Sequence, residues 1–315
     1  MDRVAGIFGA FLLVASVAAG TSGPVSAQVS PVGDDSGPAR IDSDQRVILV
    51  TGSTSGLGRE LALRLGAAGE HVIVHGRDEE RGREVMEEID AGPGSARFYR
   101  ADLGSFEEVR DLARAILRDY DRLDVLINNA GIGSTSPEGR HVSQDGHELR
   151  FQVNYLSGFL LTRMLLPLLR ESAPARIVNV SSLAQTPIDF DDVMLEEDYS
   201  GSRAYAQSKL AQVLFTFELD ERLGDDSGIA VNALHPATYM DTKMVRAAGV
   251  EPRSTVDEGA RAVLNLVNSP DIGSGRFFDQ QEPVRADAQA YDAEARDRLW
   301  ELSEDWTGVE GPGDR

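Results

Sequence analysis

Arg46-Val47-Ile48-Leu49-Val50-Thr51-Gly52-Ser53-Thr54-Ser55-Gly56-Leu57-Gly58 is the stretch that decides the fold. Arg46 to Val50 is a short apolar run rich in β-branched residues, as expected of a strand buried on both faces. From Leu57 to Ala68 the apolar residues recur with helical period. Gly52 and Gly56 separate the two, and Gly58 follows at the start of the helical run. Glycine lets a backbone turn tightly and approach a pyrophosphate at a helix N-terminus, where unpaired N–H groups converge. The spacing is G-x-x-x-G-x-G, not the G-x-G-x-x-G of the standard dinucleotide fingerprint.

The same alternation continues outward. Strands are expected at His71–His75, Arg97–Ala101, Leu123–Ile127, Arg176–Val180, Ile229–Leu234 and Arg276–Phe278. Helices are expected at Asp78–Ile89, Phe106–Tyr120, Gly146–Leu169, Gly201–Leu223, Val256–Val267 and Ala286–Leu302. Repeated β-α units with uninterrupted apolar strands predict an α/β fold: a single Rossmann-type, doubly wound parallel sheet with helices on both faces. One domain over residues 45–307 accommodates it, with 308–315 as a flexible tail.

Composition narrows the chemistry. The 315 residues include no cysteine, which excludes disulfides, thiolate metal sites and cysteine nucleophiles. The five histidines form no H-x-x-x-H pair, so no metal site is expected. The formal net charge of −21 repels nucleic-acid phosphates and anionic lipid. Lysine occurs only as Lys209 and Lys243. Strong acidity with little lysine fits either a GC-rich genome or adaptation to high salt.

The amino terminus reads as a separate object. Arg3 precedes an uncharged apolar run from Val4 to Gly20, and Val25-Ser26-Ala27 offers small residues to a signal peptidase. Residues 1–27 are expected to be an export signal or a membrane anchor, the only membrane contact foreseen. Residues 28–44, rich in Pro, Gly, Ser and Asp, are expected to be a disordered linker.

Tyr205-Ala206-Gln207-Ser208-Lys209 puts a phenol and an ammonium four residues apart, on one helix face. A lysine there is expected to favour the phenolate and lower the tyrosine pKa, fitting it to exchange a proton with an alcohol oxygen.

Taken with that pair, the glycine turn resembles the classical short-chain dehydrogenases/reductases. Further segments agree in order: Asp102-Leu103 after the third strand, Asn128-Asn129-Ala130-Gly131 after the fourth, Asn154 in the long helix, and Val178-Asn179-Val180-Ser181-Ser182 ending the fifth. The resemblance covers nearly all of residues 46–306. Phe190-Asp191-Asp192, Tyr199-Ser200, Ala204 to Leu210 and Leu299-Trp300-Glu301-Leu302-Ser303 narrow it to the retinol dehydrogenase and WW-domain oxidoreductase branch, without a WW domain.

The resemblance implies a hydride-transfer oxidoreductase acting on a small, apolar carbonyl or alcohol. Tyr205 would be the general acid/base, Lys209 would stabilise its phenolate and bind the nicotinamide ribose, and Ser182 would hold the substrate oxygen. Asn154 would hold a water linking Lys209 to solvent. Gly52, Ser53, Ser55, Gly56, Leu57, Gly58, Arg77, Asp102, Leu103, Asn129, Ala130, Gly131, Pro236 and Thr238, with Tyr205 and Lys209, would bind the cofactor. The second strand ends His75-Gly76-Arg77 where NAD-preferring members carry an acid. A guanidinium suits a 2′-phosphate, so NADP(H) is expected, with NAD(H) left open. Ser53 and Arg59 could add to that contact, and Asp78 is expected to cap the next helix.

His235-Pro236-Ala237-Thr238 departs from the family's Pro-Gly, and Thr242 competes with Thr238 for the cofactor contact. Met240 to Arg253 is expected to form a substrate lid. Family members are commonly dimers or tetramers built through the two long helices, and the apolar run Leu210 to Phe217 fits either helix pairing or core packing. A non-catalytic NADP(H)-binding sensor is the alternative from another class. Localisation pulls two ways, because the leader points to export or membrane association and NADP(H) is a cytoplasmic currency.

Overall fold

β1 (Val47–Val50), β2 (His71–Gly76), β3 (Ser95–Arg100), β4 (Val125–Asn128), β5 (Ala175–Val180), β6 (Ile229–His235) and β7 (Arg276–Asp279) pair in parallel. A two-residue β8 (Glu282–Pro283) closes the edge antiparallel to β7. The sheet order is β3-β2-β1-β4-β5-β6-β7-β8. This computed structural model describes residues 41–135 and 137–309. The expected export signal or anchor, most of the expected linker and the end of the expected tail lie outside the described residues. Ile41, assigned to the linker from sequence, packs against the core. Among the described residues no helix is long and apolar enough to cross a membrane.

Two layers of helix cover the sheet, as its buried strands require. α1 (Gly56–Ala67), α2 (Glu79–Asp90) and α8 (Val256–Asn268) lie on one face, over Ile48, Val50, Val72, Val74 and Leu234. α3 (Phe106–Asp119), α5 (Ser157–Glu171), α6 (Gly201–Leu223) and α9 (Ala293–Thr307) lie on the other, over Leu49, Ile73, Leu126 and Ile177. The short α7 (Lys243–Ala247) sits within the expected lid. The order of strands reverses between β1 and β4, and above their C-terminal ends a crevice opens, as such folds require.

Three elements differ from the sequence expectation. The long helix does not begin at Gly146, whose φ of +89° is left-handed and turns the chain instead. It begins as α4 (Leu149–Phe151), widens into a π-turn at Gln152–Leu156, and continues as α5. β8 is missed because two residues carry no periodicity. The closing helix starts at Ala293, after a 3₁₀ turn at Ala288–Tyr291.

The run Leu210 to Phe217 is buried inside its own chain. Leu210, Val213, Leu214 and Phe215 belong to the core, and Trp300 of α9 packs on Phe215 and Phe159 with ring centroids 6.0 and 5.2 Å apart. Core packing accounts for the run, which therefore carries no argument for pairing between copies.

β2 carries two buried histidines, His71 and His75, 3 and 2% exposed. Burial, then the Arg97 charge, pushes His71 down to about 4. Burial likewise pushes His75 down to about 4. Unfolded histidines bind a proton near 6.5, so between pH 6.5 and 4 the unfolded chain holds more protons than the folded one. Stability therefore falls as pH falls through that window, by at most roughly 1.4 kcal/mol per pH unit for each imidazole. Thermal melts from pH 7.5 to 4.5 should show a declining Tm below pH 6.5, flattened in a His71→Gln variant. A Tm indifferent to pH over that range contradicts the account.

Candidate active site

The glycine turn is built by close approach. Gly52 has φ +67°, and a Cβ there would come within 2.9 Å of Ala130 Cα. At Gly58 a Cβ would lie 2.3 Å from the Gly52 carbonyl oxygen. Any side chain at Gly58 would push α1 off the turn. Ser55 is the exposed N-cap of α1, and its hydroxyl makes no capping bond. The first-turn N–H groups and that hydroxyl thus face the crevice, ready for an anion.

Thr51 ties the turn to β4. Its hydroxyl accepts from the backbone N–H groups of Asn129 and Ala130, each at 3.0 Å, and Asn129 Nδ2 donates to the Thr51 carbonyl at 2.8 Å. Asn129 therefore shapes the cradle with its side chain. Asn128 beneath it donates to Asn179 Oδ1 at 2.9 Å and Thr162 Oγ1 at 3.0 Å, fixing β4 to β5 and α5.

The crevice encloses about 1020 Å³. Of the residues expected at the cofactor, Gly52, Ser55, Gly56, Leu57, Gly58, Arg77, Asp102, Leu103, Asn129, Ala130, Gly131, Pro236, Thr238, Tyr205 and Lys209 line it. Ser53 does not. It is 0% exposed, its hydroxyl donating to the His75 carbonyl and accepting the His75 N–H at 2.9 Å. The turn points Ser53 into the protein and Thr54 into the crevice. Arg59 also points elsewhere, to Glu88 of α2 at 2.5 Å. Asp78 caps α2 as expected, accepting from Arg81 N–H at 3.2 Å.

Arg77 reaches Asp102 at 3.5 Å and is largely exposed. Asp102 also accepts from Gly104 N–H at 2.9 Å, which holds the loop after β3. Gly76 cannot readily become an acid, because a Cβ there would meet Thr54 Cγ2 at 2.5 Å. Thr238 is tied by its hydroxyl to His235 Nε2 at 2.9 Å. Thr242 caps α7 and lies beside Gly56, its methyl 3.5 Å from where a Cβ would stand. Thr242 is thus the threonine that overhangs the glycine turn.

At the other end of the crevice, β5 and α6 bring Ser182, Tyr205 and Lys209 together. Ser200 caps α6 by accepting from Arg203 N–H, so the helix phase places Tyr205 and Lys209 on the crevice side. Lys209 Nζ lies 5.7 Å from the Tyr205 ring centroid. It donates to the Val180 carbonyl at 2.9 Å and to Gln212 Oε1 at 3.0 Å. Burial pushes the Lys209 ammonium down to about 7. The expected lowering of the Tyr205 pKa is not what this arrangement gives: burial raises the phenol, and the Ser182 hydroxyl, hydrogen-bonded to it, pulls it partly back. The ammonium is itself weakened by the burial that brings it near.

Asn154 spends its side-chain amide on the protein. Its Oδ1 accepts from Ile132 N–H at 2.8 Å, and its Nδ2 donates to the Ile132 carbonyl at 3.2 Å and to Ser208 Oγ at 2.9 Å. Asn154 thus staples the loop after β4 to α6. The π-turn carries it there, a deformation frequent at functional sites.

Sequence reasoning missed Thr54, Thr51 and Gln212. Gln212 carried a signal, standing one turn after Lys209. Thr54 carried none, since the choice between Ser53 and Thr54 is made by the turn.

The family model for short chain dehydrogenase matches residues 46–252. Human retinol dehydrogenase 13 is 35% identical over 300 residues, spanning 88% of this chain and 89% of that protein. An uncharacterised protein from Mycobacterium Paratuberculosis, solved by crystallography, superposes with a TM-score of 0.71 at 32% identity, over 87% of this chain and 97% of the other. The RhlG/NADP active-site complex of Pseudomonas aeruginosa superposes with a TM-score of 0.61 at 29% identity, over 74% and 94%. With each motif standing where the sheet and its crevice need it, this chain belongs to the short-chain dehydrogenase family, in its retinol dehydrogenase branch, and is an oxidoreductase acting on CH–OH and C=O groups.

Proposed function

We propose that the chain is an NADP(H)-dependent carbonyl reductase or alcohol dehydrogenase with Tyr205 as its general acid/base. One observation carries the reading: a single crevice joins the glycine turn and Arg77 at one end to Tyr205, Ser182 and Lys209 at the other. The nicotinamide supplies the hydride when bound. The uncapped start of α1 and the tight approach at Gly52 and Gly58 fit a pyrophosphate, and Arg77 fits a 2′-phosphate. The NADP complex of RhlG adds weight from a relative.

Tyr205 then gives its proton to the substrate oxygen during reduction, or takes one during oxidation. Burial holds the phenol above its usual range, and the Ser182 hydroxyl draws it partly back. Ser182 holds the substrate oxygen where charge develops. Lys209 keeps its place through Val180 and Gln212 and presents Nζ beside the phenol.

The crevice lining also includes the apolar Ile132, Val153, Leu183, Met244 and Val250. Among the described residues the Lys and Arg side chains lining the whole crevice are Arg77, Lys209 and Lys243, and the acid is Asp102. Arg77 and Asp102 belong to the nucleotide end. Among the described residues Lys243 is the one lining cation besides Arg77 and Lys209, and the largely apolar lining fits an apolar aldehyde, ketone or alcohol as substrate.

The test follows NADPH and NADH oxidation at 340 nm with residues 40–315 against aldehydes, ketones and retinoids, in low and high salt. Turnover with NADPH exceeding that with NADH is expected. Tight NADPH binding with no turnover across the panel would replace the enzyme by a sensor.

A further inference from the structure

Arg150 is the most deeply buried charge near the pocket, 0% exposed, and touches none of the residues given roles above. A guanidinium has five N–H donors, and all five are spent here. Nε donates to the Gly133 carbonyl at 2.8 Å. Nη1 donates to Tyr199 Oη at 2.5 Å and to the Gly139 carbonyl at 3.4 Å. Nη2 donates to the Pro137 carbonyl at 2.5 Å and the Ser134 carbonyl at 3.2 Å. The counter-charge is Glu148, 3.6 Å away and 1% exposed. Tyr199 donates its proton to Glu148 Oε1 at 3.2 Å, and Glu148 Oε2 accepts the Phe151 N–H at 2.8 Å. Acid, phenol and guanidinium form one closed network.

Four of the five acceptors are main-chain carbonyls of one irregular loop, which has no strand or helix to satisfy them. That loop, through Ile132, Gly133, Ser134, Thr135 and Pro137, walls the pocket. Asn154, four residues after Arg150, holds the start of the loop at Ile132. Arg150 holds the rest. The wall is in turn fitted to its neighbours: a Cβ on Gly201, the first residue of α6, would fall 2.0 Å from the Ser134 carbonyl oxygen, and one on Gly133 would fall 2.8 Å from Met244 Cγ of α7.

We propose that Arg150 is a positioning residue that shapes the substrate side of the pocket, clamping Gly133, Ser134, Pro137 and Gly139 against α6 and α7 without touching substrate or cofactor. The role in substrate selection rests on the carbonyl-reductase reading; the clamp itself does not. Breaking the clamp loosens the wall that meets the carbonyl compound and leaves the nucleotide end unchanged.

The experiment compares wild type, Arg150→Lys and Tyr199→Phe. Lysine keeps the charge but offers three donors from one atom, which cannot reach acceptors spread along the loop. On the protein without added cofactor, hydrogen–deuterium exchange of peptides over residues 131–141 should quicken about tenfold in Arg150→Lys, with β4 and α5 peptides unchanged. With NADPH, the KM for nonanal should rise about tenfold while kcat and the NADPH Kd stay within about twofold. Tyr199→Phe, the gentler change, should move loop exchange and KM about threefold in the same direction, and decides the matter if Arg150→Lys does not fold. Unchanged loop exchange in the folded variants overturns the clamp. Quickened exchange with an unchanged KM, or with kcat and NADPH Kd moving together with KM, overturns its role at the substrate. A wild type inactive on every carbonyl fails the reductase reading, while the exchange data still judge the clamp.

Discussion

Tyr205→Phe removes carbonyl turnover, lowering kcat by about a thousandfold, and leaves NADPH binding within about threefold of wild type. The physical reason is narrow. Phenylalanine keeps the ring, beside which Lys209 Nζ lies, and loses only the oxygen that carries the proton. The lost hydrogen bond with Ser182 costs about 1 kcal/mol of stability at most, so the variant folds. Rate and binding measured on one preparation separate proton transfer from cofactor docking. If Tyr205→Phe retains more than about a tenth of the wild-type rate, some other group supplies the proton and the role given to Tyr205 fails.

Arg77→Ala produces the second largest effect, confined to one cofactor. A charge-assisted contact to a phosphate is worth roughly 2 kcal/mol, about thirtyfold in affinity. The KM for NADPH should rise by about that factor, and the KM for NADH should scarcely change, because NADH has no 2′-phosphate to lose. Arg77 is well placed for this: it stands at the end of β2, largely exposed, with Asp102 at 3.5 Å. The strand end offers no easy route to the opposite preference, since Thr54 fills the space a side chain at Gly76 would need. Equal losses with both cofactors would place Arg77 in packing and not in phosphate recognition.

Much of the fold was legible in the chain because it rests on local period. Strand and helix alternate in runs long enough to show, and α6 was placed at Gly201–Leu223, the bounds it has in the structure. The turn from Thr51 to Gly58 and the pair Tyr205 and Lys209 are visible as spacing. Errors fell where local pattern gives no direction. The widening at Gln152–Leu156 is a backbone change that leaves the apolar period readable as one helix. Leu210 to Phe217 reads equally as core or as interface until Trp300, far along the chain, is seen packed on Phe215.

Sequence alone therefore determined the order of β-α units, the phosphate-type turn and the tyrosine–lysine helix, because each is set by neighbours a few residues apart. Tertiary structure decided which side chains the crevice receives. Ser53 and Thr54 are adjacent and chemically alike, and only the turn against β2 buries one and exposes the other. Burial holds the Lys209 ammonium below its usual range and the Tyr205 phenol above its own, an outcome that neighbours in sequence do not set. Arg150 is an ordinary arginine in sequence. Its place at the centre of a carbonyl-lined loop exists only because Gly133, Ser134, Pro137, Gly139 and Tyr199, from separate parts of the chain, fold around one guanidinium whose buried donors must all find acceptors.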